Sequence, residues 1–155
     1  MTNSRAHTPA AGFASSLAMP TTFESMTNSE VIACFEADNL PGEFHHAEHI
    51  RLAFAYLSEY PAIAALHKFS IALKQYAAAR GKPERYHETI TYAYLFLIRE
   101  RLARTPGLDW ERFVEANSDL FQWKPGILGQ YYRESTLQSD LARAVFLFPD
   151  KIAQL

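Results

Sequence analysis

His46 and His49 stand three residues apart in the run Phe44-His45-His46-Ala47-Glu48-His49-Ile50. Residues three and four apart on a helix share a face, so His46 with His49, or His45 with His49, can present two imidazoles to one ligand. His87 stands in a similar setting, in Tyr86-His87-Glu88-Thr89-Ile90-Thr91, and can bring a third nitrogen from a neighbouring helix. Three protein nitrogens and an open position are what a catalytic divalent metal requires. Such an ion, zinc or iron, would lower the pKa of the water it holds. Thr91 and Tyr94 fall on the same helical stripe as His87. Thr91 can orient a water or a substrate there, and Tyr94 or Tyr86 can donate a hydrogen bond. Glu48, next to His49, is a candidate general base or a partner for a ligating imidazole. Glu88 points about 100° away from His87 and is not expected to join them.

The same residues have plainer uses. A histidine near a helix start is usually a cap, a surface residue or a satisfied core group. A pair of histidines three apart is a weak signature beside a double Cys-x-x-Cys. A polar pocket without metal, or a purely structural role, therefore stands beside the metal site. His45 is expected to face solvent, and His67, alone in mid-helix, to be structural. Two functions from different classes follow. One is a small metal-dependent enzyme working by hydrolysis with zinc or oxygen chemistry with iron. No clear inward carboxylate completes the two-histidine, one-carboxylate iron site. The other is a non-catalytic helical module that binds a small ligand or a partner helix in an aromatic groove. Phe54, Tyr94, Phe121, Trp123, Tyr131 and Tyr132 would line it.

These residues need helices to position them, and the sequence supplies helices. Thr27-Asn28-Ser29 before Glu30 reads as a helix start. Ile50, Ala53, Phe54 and Leu57 repeat at three and four, the amphipathic spacing. Pro61 ends that helix and opens the next. Gly81 is placed as a left-handed cap. Main helices are predicted near 29–37, 46–60, 62–80 and 85–104. The last is apolar almost all round between Ile90 and Ile98, which predicts the centre of the bundle. A short helix over 110–116 follows, with Trp110, Phe113 and Val114 inward. A helical turn is predicted near 127–132, and a last helix opening at Ser135 or Thr136 and running to Val145. The predicted fold is all-α: a bundle of about four main helices with short C-terminal additions.

The chain has 155 residues, 48% of them hydrophobic, and this fits one domain with a real core. The formal net charge is -2 and no basic run occurs, which argues against nucleic acid as a partner. Cys34 is the single cysteine, so no intrachain disulfide forms. It has no adjacent base or cation to activate it and reads as a core residue. No apolar run approaches the roughly 18–20 residues of a membrane span. A cytoplasmic location is expected, and a homodimer is compatible with the composition. Residues 1–22 are rich in Ala, Ser, Thr and Pro and read as a disordered, dispensable tail. Their apolar patch is too weak for a secretory signal. The domain proper is placed at 23–155.

The motifs Phe44-x-His46-x-x-His49 followed by Leu52-Ala53, then Gly81-x-Pro83-x-x-Tyr86-His87-x-Thr89-x-Thr91, come in a definite order. Tyr131-Tyr132, Ser139-x-Leu141-Ala142-Arg143 and Pro149-Asp150 complete it. From about Asp38 to Asp150 the chain resembles a family of small bacterial proteins of unknown function. The family has no established activity and implies no substrate. It implies that His46, His49 and His87 share a site, rather than His45 or His67.

Overall fold

The computed structural model describes residues 23, 25–123 and 126–151. The expected tail, 1–22, lies outside them. The fold is all-α, and among the described residues the only extended pairing is an isolated bridge between Trp123 and Gly126.

Helix α1 (Asn28–Glu36) opens on a reciprocal cap. Thr27 Oγ1 accepts the Glu30 N–H at 3.2 Å, and the Glu30 carboxylate accepts the Thr27 N–H at 3.0 Å. Asp38 turns the chain out of α1 at φ 53°. Helix α2 (His46–Glu59) and helix α3 (Ala62–Ala79) are separated by Tyr60 and Pro61. Gly81, at φ 67°, is the left-handed residue that ends α3, as the sequence predicts.

Helix α4 (Glu88–Arg104) starts later than the expected 85. Pro83–Arg85 form a separate 3-10 turn, and His87 is the cap that begins the helix. Helix α5 (Trp110–Ala116) buries Phe113 fully and leaves Trp110 and Val114 half-buried. Two 3-10 turns follow, Ser118–Phe121 and Ile127–Gln130. The expected last helix is split into α6 (Glu134–Leu137) and α7 (Asp140–Ala144). Ser139 breaks it, because its hydroxyl accepts the Ala142 N–H and starts a new helix.

The centre of the bundle is α2, not α4. Helix α2 packs against α1, α3, α4 and the 118–121 turn, and its whole run from Ile50 to Tyr56 is buried. Small residues at Ala53 and Ala55 let neighbours approach on more than one side. Helix α4 is apolar round much of its surface, yet Phe96 is 43% exposed and Leu97 only half-buried. Its inward face is Ala93, Tyr94, Leu95 and Ile98.

The buried run of α2 includes a cation. Arg51 is 2% exposed and donates to Asn28 Oδ1 and to the Met26 carbonyl, both at 2.7 Å. Its guanidinium lies 5.1 Å from the Trp110 ring centroid and 5.8 Å from that of Phe54. One side chain thus ties the entry to α1 and the start of α5 onto α2.

The C-terminal segment is held to the first turn of α4. The Thr89 hydroxyl lies 2.7 Å from the Ala142 carbonyl and 2.8 Å from that of Val145, and it accepts the Leu147 N–H at 3.1 Å. Arg143 Nη1 donates to the Glu84 carbonyl at 2.6 Å. Tyr132 Oη donates to the Leu147 carbonyl at 2.8 Å. The Asp150 carboxylate receives the Arg133 N–H at 2.9 Å and the Thr136 hydroxyl.

Two stability outcomes follow from this packing. Leu95→Ala should cost about 2–5 kcal/mol in urea unfolding, and Leu97→Ala clearly less, because Leu95 is 1% exposed and Leu97 half-buried. Thr89→Val keeps the shape but strips partners from buried backbone groups, and should cost about 1–3 kcal/mol. Equal losses for the two leucines, or a Thr89→Val midpoint identical to wild type, would contradict the packing described.

Candidate functional site

His46 is the first residue of α2, and its ring is half-buried. Its Nε2 lies 2.7 Å from the Leu120 carbonyl oxygen. A carbonyl only accepts, so Nε2 carries the hydrogen and Nδ1 keeps its lone pair. The ring stands edge-on to Tyr94 at 5.0 Å and tilted against Trp123 at 4.9 Å. His49 packs elsewhere. Its ring lies 4.1 Å from that of Phe44, which in turn touches Phe35 and Tyr76. His45 is exposed, as expected, and its Nε2 meets Glu43 at 2.6 Å. His67 is exposed on α3.

His87 is 8% exposed, and both of its nitrogens are in use. Nε2–H donates to the Leu137 carbonyl at 2.7 Å, and Nδ1 accepts the Ile90 N–H at 3.1 Å. The second bond satisfies one of the amides that every helix start leaves open. In this arrangement His87 has no lone pair left for a metal. Among the described residues no group of three or more His, Cys, Asp or Glu is arranged to hold an ion.

The other candidates are equally placed by local needs. Glu48 Oε2 accepts the His45 N–H at 2.9 Å and closes the start of α2. Thr91 is buried on α4. The Tyr86 hydroxyl, buried beside Glu88 and Thr91, completes a hydrogen bond to neither. Tyr94 is 7% exposed, and burial pushes its phenol up to about 12.

What the structure does bring together is an open cleft of about 1070 Å³ between α4 and the C-terminal segment. His87, Ile90 and Tyr94 form its α4 side. Trp123, Ile127, Leu128, Tyr132 and Leu137 form the facing wall, with Gln122, Asp119, Arg143 and Lys151 among its polar groups. His46, His49, Glu48 and Thr91 are not among its lining residues. Of the aromatic groove predicted from sequence, Tyr94, Trp123 and Tyr132 are present. Phe54 instead packs on Trp110 and Phe113, Phe121 packs on Trp110, and Tyr131 is exposed and not among the lining residues.

Gly126 is a close approach in this cleft. A methyl group there would lie 3.2 Å from the Trp123 carbonyl oxygen and 3.4 Å from the Tyr94 hydroxyl. Thr89, Gly126 and Arg143 carry no local signal for these roles. Thr89 and Arg143 bond to backbone atoms distant in sequence, which have no signature there, and Gly126 is set by a close approach that only the fold creates.

Burial lowers the pKa of all three central histidines. For His46 the Leu120 carbonyl and Glu48 work against the drop without cancelling it. For His49 burial leads, with the rings of His46 and His45 adding to it, and the value falls to about 3. For His87 burial leads again, opposed by its bond to Leu137 and assisted by Arg143.

No family model, no curated protein and no solved structure matches the chain. No described helix is long and apolar enough to cross a membrane.

The lowered values fix the sign of the pH response. Each ring is neutral in the folded state at pH values where the unfolded chain would bind a proton. The stability this difference supports is complete above about 6.5, the ordinary histidine value, and is lost as pH falls through the folded values. The urea midpoint should therefore hold from pH 7.5 to about 6.5 and drop from there to pH 4.5, and His49→Gln should flatten the drop. A midpoint that holds or rises over that lower range would contradict these environments.

Proposed function

We propose that the protein is a small-ligand-binding helical module whose site is the cleft between α4 and the C-terminal segment. One observation carries this reading. The Tyr94 hydroxyl belongs to a residue 7% exposed, opens onto the cleft, and has no hydrogen-bond partner among the described residues. Its donor and acceptor positions face the cleft, where a ligand atom can take them up. The surroundings fit, since ligand sites are concave and mainly apolar with a few placed polar groups. The indole of Trp123 is 54% exposed at the cleft wall, backed by the His46 ring.

A second reading is favoured by a different observation. The His46 bond to Leu120 leaves Nδ1 free, and burial keeps that ring neutral near pH 7, the form a metal needs. On this reading zinc or iron binds His46, His49 and His87, while Glu48, Thr91 and Tyr94 handle protons. It requires His87 to release either Ile90 or Leu137. The cleft reading requires no such change, and for that reason it comes first.

Two measurements test the choice. A screen of single-ring fragments, followed by backbone amide shifts, should converge on Trp123, Gly126 and Leu128. Gly126→Val should abolish those shifts by filling the space beside Tyr94, while leaving the helical circular dichroism intact. Shifts scattered over the surface would overturn the cleft. Metal content of untagged protein should be at trace level. Stoichiometric zinc or iron, lost in His46→Ala, His49→Ala and His87→Ala but kept in His67→Ala, would replace the first reading with the second.

A further inference from the structure

We infer that the ligand of this cleft is a flat, uncharged ring bearing one small neutral polar group, stacked on Trp123 and hydrogen-bonded to Tyr94. The inference rests on the cleft reading above and adds the chemical class.

The charged groups of the cleft are already engaged by the protein. Asp119 is gripped by Arg101 through two bonds, at 3.0 and 2.8 Å. Arg143 donates to the Glu84 carbonyl and Lys151 to the Gly129 carbonyl, each at 2.6 Å. Glu134 holds the Gln138 amide at 3.0 Å. A cationic ligand would have to compete for carboxylates that already accept bonds, and an anionic one would meet two cations each already drawn onto a backbone carbonyl.

What remains open is an aromatic face, the Tyr94 hydroxyl and the exposed amides of Gln122 and Gln130. The indole of Trp123 offers a broad π surface, which favours flat partners in offset contact. The His46 ring touches both Trp123 and Tyr94, at 4.9 and 5.0 Å, and so sets the spacing between the two contact groups. His46 is therefore a positioning residue, held by its bond to Leu120. The phenol of Tyr94, its pKa raised to about 12 by burial, stays protonated and can donate or accept. A hydroxyl set in an apolar wall discriminates strongly against analogues that cannot bond to it.

Four matched probes test the class: benzamide, benzoate, benzamidinium and cyclohexanecarboxamide. They share a size and differ in charge or flatness. Amide-shift titrations on the full chain should show benzamide binding at Trp123 and Gly126 about tenfold more tightly than the other three, the ratio that one good contact supplies. Tyr94→Phe should weaken benzamide about tenfold with an unchanged urea midpoint, because the hydroxyl has no partner among the described residues. Trp123→Leu should weaken it by a similar factor. If benzoate, benzamidinium or the saturated amide matches benzamide at those amides, the class is overturned and the cleft stands. If no probe, in this set or in the broader fragment screen, shifts those amides, class and cleft fall together.

Discussion

The first turn of α4 is the constraint on which the rest of the structure depends. Every helix start leaves backbone amides without partners inside the helix. Here His87 supplies one partner through Nδ1 and uses Nε2–H to hold the Leu137 carbonyl. Two residues on, Thr89 takes up the end of α7 and the chain beyond it. The helices α6 and α7 run for only 4 and 5 residues, far below the length at which a helix stands alone in water. They exist because α4 receives their carbonyls. The cleft exists because they stand where they do, with α4 on one side and the C-terminal segment on the other.

Helix α2 applies the same device. His46 fixes the Leu120 carbonyl, and Arg51 fixes the Met26 carbonyl and Asn28. Arg51 is the costlier of the two. Its guanidinium is withdrawn from water, and burial lowers its pKa to about 10, which still leaves it charged at neutral pH. The hydrogen bonds and the faces of Trp110 and Phe54 offset part of that cost. The gain is positional. A hydrophobic contact between α1 and α2 would tolerate sliding, whereas a fork that reaches one carbonyl and one amide oxygen does not. Buried polar side chains that bond to backbone therefore set the registers in this fold.

The helices were legible because apolar spacing and proline or glycine stops are local. Pro61 and Gly81 end their helices where the sequence predicts. The centre of the bundle was misplaced because Arg51 reads as a surface residue, and it interrupts an otherwise buried run. The apolar stretch Ile90–Ile98 suggested the centre instead, although Phe96 is left open to solvent. Within the site, the helix-start position of His87 was visible and its use as a cap was among the plain readings. Its second bond was not visible, since the acceptor is the backbone of Leu137. Aromatic count alone could not separate Tyr94 and Trp123, which line the cleft, from Phe54 and Phe121, which pack on Trp110.

The attachment of the C-terminal segment has a dynamic consequence. Many of the bonds that hold it to the body, those of His87, Thr89 and Arg143 in particular, run to α4's first turn and the residues just before it, so they open together or not at all. Such a unit unfolds locally at a lower free energy than the bundle beneath it. Amide hydrogens of α6 and α7 should therefore exchange as one group, well ahead of those in α2. Because the segment is also a wall of the cleft, anything held there would slow that exchange by mass action without touching the core of α2. Occupancy of the cleft is thereby written into the protection of residues that need not contact the occupant at all.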